Sequence, residues 1–240
     1  MLLVLLSVVA GCAGPHATPG GAAGPVWCAD RASVVVLGDA HGTGFGLPGY
    51  DGEGSYAATT AGWVSTLARR ASAEWGTVTT VLAHTGAAAA DFRPGGRWED
   101  TAAAAETVHD LRPALALVVL GATEYALDVP PARFDADYRA VVDGLREASP
   151  RTAVLLVLGP EPGARLVADP AHDWDDYRAV IETVAADEGA PLLDLGEYLP
   201  PGGTPDAEGL YLPDGVHLTA AGHRIVHAAV WTLLTASCGP

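Results

Sequence analysis

Residues 33–40 read Ser33-Val34-Val35-Val36-Leu37-Gly38-Asp39-Ala40. An apolar, β-branched run closed by a Gly-Asp turn is the pattern of a strand buried on both faces. Four further stretches downstream repeat it, at 78–83, 115–120, 153–158 (stopped by Gly159-Pro160) and, more briefly, 192–195. Helix-like segments fall between them, at 57–73, 101–111, 135–148 and 173–187, and a last one closes the chain at 219–235. In the first, Trp63, Leu67 and Arg70 are spaced for one half-buried face. Thr101 and Thr219 stand where N-caps belong. Asp173-Trp174-Asp175-Asp176 reads as a helix start, with acids at the positive end of the dipole, or else as a calcium site. Strands alternating with helices predict βαβ units and a parallel sheet covered on both faces. The fold class is therefore α/β, a three-layer α/β/α sandwich forming one domain over residues 27–238. Ligands bind such sheets at the carboxyl ends of the strands. Ala40, Gly86 and Thr123 each fall just after a predicted strand.

The chain has 240 residues, enough for one domain with a sizeable core. Apolar residues at 49% and charged residues at 18% are a globular balance rather than a disordered one. The net charge is −16 and the 13 basic residues are all arginine. No stretch clusters them enough to attract phosphate, so nucleic acid is excluded as a partner.

Residues 1–11 are apolar but too short to span a bilayer as an ordinary helix. They read as a signal peptide. The tetrad Val9-Ala10-Gly11-Cys12 resembles a bacterial lipobox, which implies cleavage before Cys12, lipidation of its thiol, and a membrane anchor. A plain cleaved signal is the other reading. Residues 12–26, rich in Gly, Ala and Pro, form the expected flexible tether. The expected location is extracytoplasmic. Cys28 and Cys238 remain in the domain. Two cysteines in an exported protein can pair, and two unpaired thiols are the alternative.

Four stretches carry the chemistry. The first is Gly38-Asp39-Ala40-His41. The second is His84-Thr85-Gly86, after the second strand. The third is Gly121-Ala122-Thr123-Glu124, after the third. The fourth, Asp214-Gly215-Val216-His217, sets a carboxylate and an imidazole three residues apart. Taken singly, the first and fourth have plain readings: Asp39 as a turn or helix cap, Asp214-Gly215 as a turn, His217 as a cap residue ahead of a helix.

Together, and in this order, the four stretches resemble the SGNH/GDSL family of serine hydrolases over most of the domain. The resemblance implies a flavodoxin-like SGNH hydrolase fold and a site for acyl esters, with His217 as general base and Asp214 as its orienter. It implies oxyanion donors at the Ala40 amide, Gly86 and the position of Thr123. Asp39, His41, His84 and Glu124 are then pocket residues. No metal or cofactor is implied. Two positions depart from the pattern. Ala40 stands where the family has its nucleophilic serine, and Thr123 where it has asparagine. A methyl group cannot attack a carbonyl. Loss of a triad nucleophile costs about 10⁶ in turnover, and loss of one oxyanion donor about 10²–10³. Three expectations follow: an ester-hydrolase domain with a strongly impaired serine step, an activity in which Ser55, Thr43 or a water activated by His217 substitutes, or a pseudoenzyme that binds an acylated lipid or cell-envelope glycan.

His223 and His227 lie four apart on the closing helix, as in some metal sites, but no third ligand accompanies them. One buried and one surface histidine is the expected arrangement. Pro200-Pro201-Gly202-Gly203 is expected to wall the pocket.

Overall fold

The computed structural model describes residues 25–236 and Cys238. The expected signal peptide, the lipidation site Cys12 and all of the tether before Pro25 lie outside the described residues. Pro25, expected within the tether, instead opens a short helix, α1 (Pro25–Ala29). The chain then runs through β1 (Ser33–Gly38), α2 (Ala40–Thr43), α3 (Trp63–Trp75), β2 (Val78–Ala83), α4 (Glu99–Ala102) and α5 (Ala104–Leu111). It continues through β3 (Leu115–Val119), α6 (Ala122–Leu127), α7 (Pro131–Ala148), β4 (Ala153–Leu158), α8 (Trp174–Asp187), β5 (Leu192–Asp194) and α9 (Ala220–Ala236).

All neighbouring strands are parallel, in the order β2-β1-β3-β4-β5. Alternate residues of β1 serve opposite faces, because successive side chains of a strand point to opposite sides. Val35 and Leu37 join Val108, Tyr138, Val142 and Ile181, under α5, α7 and α8. Val34 and Val36 join Trp27, Trp63, Leu67 and Val230, under α1, α3 and α9. The central strand β3 is buried along its whole length. Each such apolar side chain contributes roughly 1.5–3 kcal/mol relative to exposure. The sheet is thus fixed from both sides, and its carboxyl edge is a rigid base for the loops that follow β1, β2 and β3.

Helix boundaries differ from the sequence reading where local side chains compete with the helix. The segment expected from residue 57 starts only at Trp63. The Thr59 hydroxyl oxygen accepts the Gly62 N–H at 2.9 Å, and the Ser65 hydroxyl oxygen accepts the Thr59 N–H at 3.0 Å. These bonds hold residues 59–62 in a turn. Thr101 is not a cap: it lies inside α4, and its hydroxyl donates back to the Trp98 carbonyl. The helix expected from 135 begins at Pro131, whose fixed φ suits the first helical position. Asp173 and Thr219 do cap, accepting the backbone N–H groups of Asp176 and of Ala221 and Gly222.

Cys28 and Cys238 are joined by a disulfide, with Cα atoms 5.0 Å apart. It ties α1 to the end of α9 beside the Trp75–Trp231 stack, whose centroids lie 4.3 Å apart.

Candidate active site

At the carboxyl edge of the sheet a cleft of about 480 Å³ opens between the loops after β1, β2 and β3 and the segment ahead of α9. Ala40, Gly86, Thr123, Asp214 and His217 all line it, together with Asp39 and His41. Four segments that are far apart in sequence therefore meet at one place, as the strand ends require. Another depression, of about 560 Å³, is lined by Arg112, Ser149 and Arg151 at the opposite strand ends and holds none of these residues.

The strongest element of the site is the pair at the fourth motif. His217 Nδ1 lies 2.8 Å from Asp214 Oδ2. Asp214 Oδ1 accepts the N–H groups of Val216 and His217, each at 2.9 Å. Partial burial favours the protonated carboxyl, but the His217 imidazole and these two amides outweigh it and hold Asp214 below the usual carboxylate range. The carboxylate thus fixes Nδ1 as the side that carries the proton, leaving Nε2 as the basic nitrogen. Phe45 packs on the His217 ring, centroids 4.1 Å apart.

Ala40 is the first residue of α2. Asp39 caps this helix by accepting the His41 N–H at 3.0 Å, so the plain reading of Asp39 holds alongside its place in the cleft. Neither the Ala40 N–H nor the Gly86 N–H has an acceptor among the described residues. Gly86 sits at φ +77°, a conformation that suits glycine and strains other residues. Thr123, in the first turn of α6, adds a hydroxyl to the cleft.

A chain of hydroxyls ties two of these loops together. The Thr43 hydroxyl donates to the Ala40 carbonyl at 3.1 Å, and its oxygen lies 3.0 Å from that of Thr85. Tyr50 Oη lies 2.9 Å from the Thr85 hydroxyl. With the Thr43 proton committed to Ala40, protons run from Tyr50 through Thr85 to Thr43, away from His217. Neither threonine hydroxyl is therefore poised as a nucleophile. Ser55 pairs with His84 in a single antiparallel bridge and does not line the cleft.

Two expected pocket residues do not reach the cleft. His84 stacks on Trp98, centroids 3.6 Å apart, and its Nδ1 lies 2.9 Å from the Thr85 carbonyl oxygen. Glu124 follows Thr123 on α6, and consecutive helical residues do not share a face. While Thr123 meets the cleft, Glu124 is 2% exposed and accepts the Ala89 N–H at 2.6 Å. Its other oxygen and the Tyr138 hydroxyl have no hydrogen-bond partner among the described residues. Burial, reinforced by Asp39 and Asp91, pushes the Glu124 carboxyl up to about 7. None of the Pro200–Gly203 residues lines the cleft. Gly202 approaches the Gly215 carbonyl so closely that a Cβ would sit 1.9 Å from it.

Sequence reasoning missed several contributors, Leu127 among them. Phe45, Arg97, Arg165 and Leu166 all line the cleft. Arg97 is held over Trp98, paired with Asp91, and donates to the Gly86 carbonyl at 2.7 Å. Arg165 lies over Tyr125 and donates to the His172 carbonyl at 2.6 Å. Leu166, 79% exposed, and Leu127 form an apolar rim. Nothing in local sequence marks these positions. His223 is buried and accepts the Trp63 N–H at 3.3 Å, while His227 stacks on Trp231. Among the described residues, no three His, Cys, Asp or Glu side chains are placed to hold a metal.

Residues 36–225 match the model of the GDSL-like lipase/acylhydrolase family, and the chain belongs to that family. No curated protein matches it by sequence. Among solved structures it is similar to TesA, with 23% identity over 85% of this chain and 99% of the other, at a TM-score of 0.62. It is similar to the psychrotrophic esterase EstA from Pseudoalteromonas sp., in a structure inhibited by monoethylphosphonate, with 16% identity over 86% and 98% of the two chains and a TM-score of 0.63. It is also similar to the salicylyl-acyltransferase SsfX3 of a tetracycline biosynthetic pathway, with 23% identity and a TM-score of 0.60. There the match covers 86% of this chain and 55% of the other. At these identities the likeness is one of fold, and the parallel five-stranded sheet between helices is the α/β SGNH hydrolase fold.

Proposed function

We propose that this chain is an exported acyl-ester hydrolase domain whose serine step is strongly impaired at Ala40. The observation that carries the reading is the convergence of the Asp214–His217 pair with the Ala40, Gly86 and Thr123 loops on one apolar-walled cleft. An acyl ester fits such a cleft, its chain against Phe45, Ala126, Leu127 and Leu166. The remaining route is water attack. His217 Nε2 takes a proton from water as the oxygen bonds to the ester carbon. The carbonyl oxygen becomes an oxyanion, met by the Ala40 and Gly86 N–H groups and the Thr123 hydroxyl. Collapse breaks the ester C–O bond, and the leaving alkoxide takes the proton back from His217. The ligand is a small acyl ester, an acylated lipid or a glycan ester, and Cys12 is the membrane attachment point.

A second reading is a pseudoenzyme that binds the same ligands without turnover. The joint presence of Ala40 and Thr123 favours it, since two catalytic groups are altered while the cleft is intact. Hydrolysis of a short-chain aryl ester by the native chain, by His217→Ala, by Ala40→Ser and by Ala40→Ser/His217→Ala separates the two. Slow native turnover that His217→Ala abolishes supports the hydrolase. A native chain that is inert but gains His217-dependent activity from Ala40→Ser supports the binding role. Native turnover that is insensitive to His217→Ala overturns the site.

A further inference from the structure

His41, the residue after Ala40, is buried at 6% exposure, and each ring nitrogen faces an acceptor. Nδ1 lies 3.5 Å from Asp39 Oδ1, and Nε2 lies 3.2 Å from the Val216 carbonyl oxygen. A neutral imidazole has one N–H and one lone pair. Either neutral tautomer therefore turns a lone pair toward an oxygen, and only the imidazolium donates on both sides.

The second acceptor belongs to the peptide joining Val216 to His217. The N–H of that same peptide donates to Asp214 Oδ1 at 2.9 Å. The unit that leads into His217 is thus held at its carbonyl by His41 and at its N–H by Asp214. The backbone of His41 is fixed in turn, since Trp63 Nε1 donates to the His41 carbonyl at 2.8 Å.

We propose that His41 is a positioning residue for His217, a buried imidazolium clasp that joins the β1 turn to the loop carrying the base. Its consequence for turnover rests on the hydrolase reading above, but the clasp itself does not. The titratable groups around it are Asp39, Asp214, His217 and His223. Burial opposes the charge on His41, and the two aspartates with the Val216 carbonyl overcome that opposition, so its pKa lies above the ordinary histidine value. His217 stands across the cleft, ring centroids 6.4 Å away. His223 is held down at about 3 by its own burial and by the nearby histidine charges, so it stays neutral and adds no competing cation. The clasp is closed below the His41 pKa and opens as pH rises through it.

The test is a proton–carbon NMR titration of the histidines in the intact native chain, with His41→Gln and Asp39→Asn as comparisons. The His41 midpoint lies above that of free histidine, and Asp39→Asn lowers it by about one unit. Exchange of the His217 amide, corrected for intrinsic base catalysis, speeds as pH passes that midpoint. This break is missing in His41→Gln. In the Ala40→Ser background, His41→Gln lowers kcat with little change in KM and removes the alkaline decline. A native His41 midpoint at or below the ordinary value overturns the proposal even if both variants fail to fold. So does amide exchange that shows no break at the midpoint. If Ala40→Ser is inert while titration and exchange behave as stated, the hydrolase reading falls and the clasp stands.

Discussion

His217 Nδ1 and Asp214 Oδ2 stand 2.8 Å apart, the separation of a charge-assisted hydrogen bond that orients an imidazole for base catalysis. Around the same carboxylate two backbone amides complete its acceptor set. The base is therefore built and oriented next to a residue, Ala40, that offers it no hydroxyl.

Restoring that hydroxyl is the first prediction. A complete triad nucleophile is worth about 10⁶, and threonine in place of asparagine at 123 forfeits about 10²–10³. Thr123 stands in both chains and cancels from their ratio, so Ala40→Ser raises turnover of an aryl ester by up to about 10⁶-fold. Adding Asp214→Asn lowers that gain by up to about 10⁴, because the imidazole loses its fixed tautomer. Initial rates of the single and double variants measure both effects. A double variant as fast as Ala40→Ser would remove Asp214 from the role.

Thr123→Asn, placed in the Ala40→Ser background, extends a side-chain amide toward the same oxyanion. The gain is in kcat rather than KM, about 10²-fold, because the donor acts on charge that exists only in the transition state. Steady-state kinetics reads the split.

Glu124 sets a pH dependence of stability. Its carboxyl is raised from 4.5 to about 7 in the fold, so the folded state favours the protonated form. Such a group contributes stability that is full below its unfolded value and lost as pH climbs through the folded one. Wild-type stability therefore falls between about pH 4.5 and 7 on account of this residue. Glu124→Gln keeps an acceptor for the Ala89 N–H without the charge. At pH 8 it is more stable than wild type by up to ~3 kcal/mol, and near pH 4 the two are alike. Urea unfolding at the two pH values decides. An equal difference at both would show that the carboxyl does not titrate in the fold.

The Cys28–Cys238 bridge closes a loop 210 residues long. Long loops confine the unfolded chain most, so Cys28→Ser lowers stability by about 2–5 kcal/mol with the cleft unchanged. Thermal unfolding with and without reductant checks this. Reduction that leaves Tm unmoved would contradict it.

The sheet was legible in the chain because buried strands announce themselves locally. The run Val34–Leu37 and the stretch Leu115–Val119 have no polar face to alternate with, and that alone places them under helices on both sides. Asp173 and Thr219 were legible for the same reason: a cap bonds to residues two or three positions away. The positions of Ala40, Gly86 and Thr123 at strand ends, and the Asp214–His217 spacing, required no knowledge of how the loops fold.

What only the tertiary structure decided are the partners that lie far along the chain. That His41 reaches Val216, that Glu124 turns inward to Ala89 rather than into the cleft, and that His84 is drawn away by Trp98 all depend on which loops the sheet brings side by side. Arg97 and Leu166 enter the cleft on the same terms. Local sequence specifies backbone propensity and burial over a few residues. The direction of a side chain at a strand end is set by competition among neighbours from other loops, and those neighbours exist only once the chain has folded.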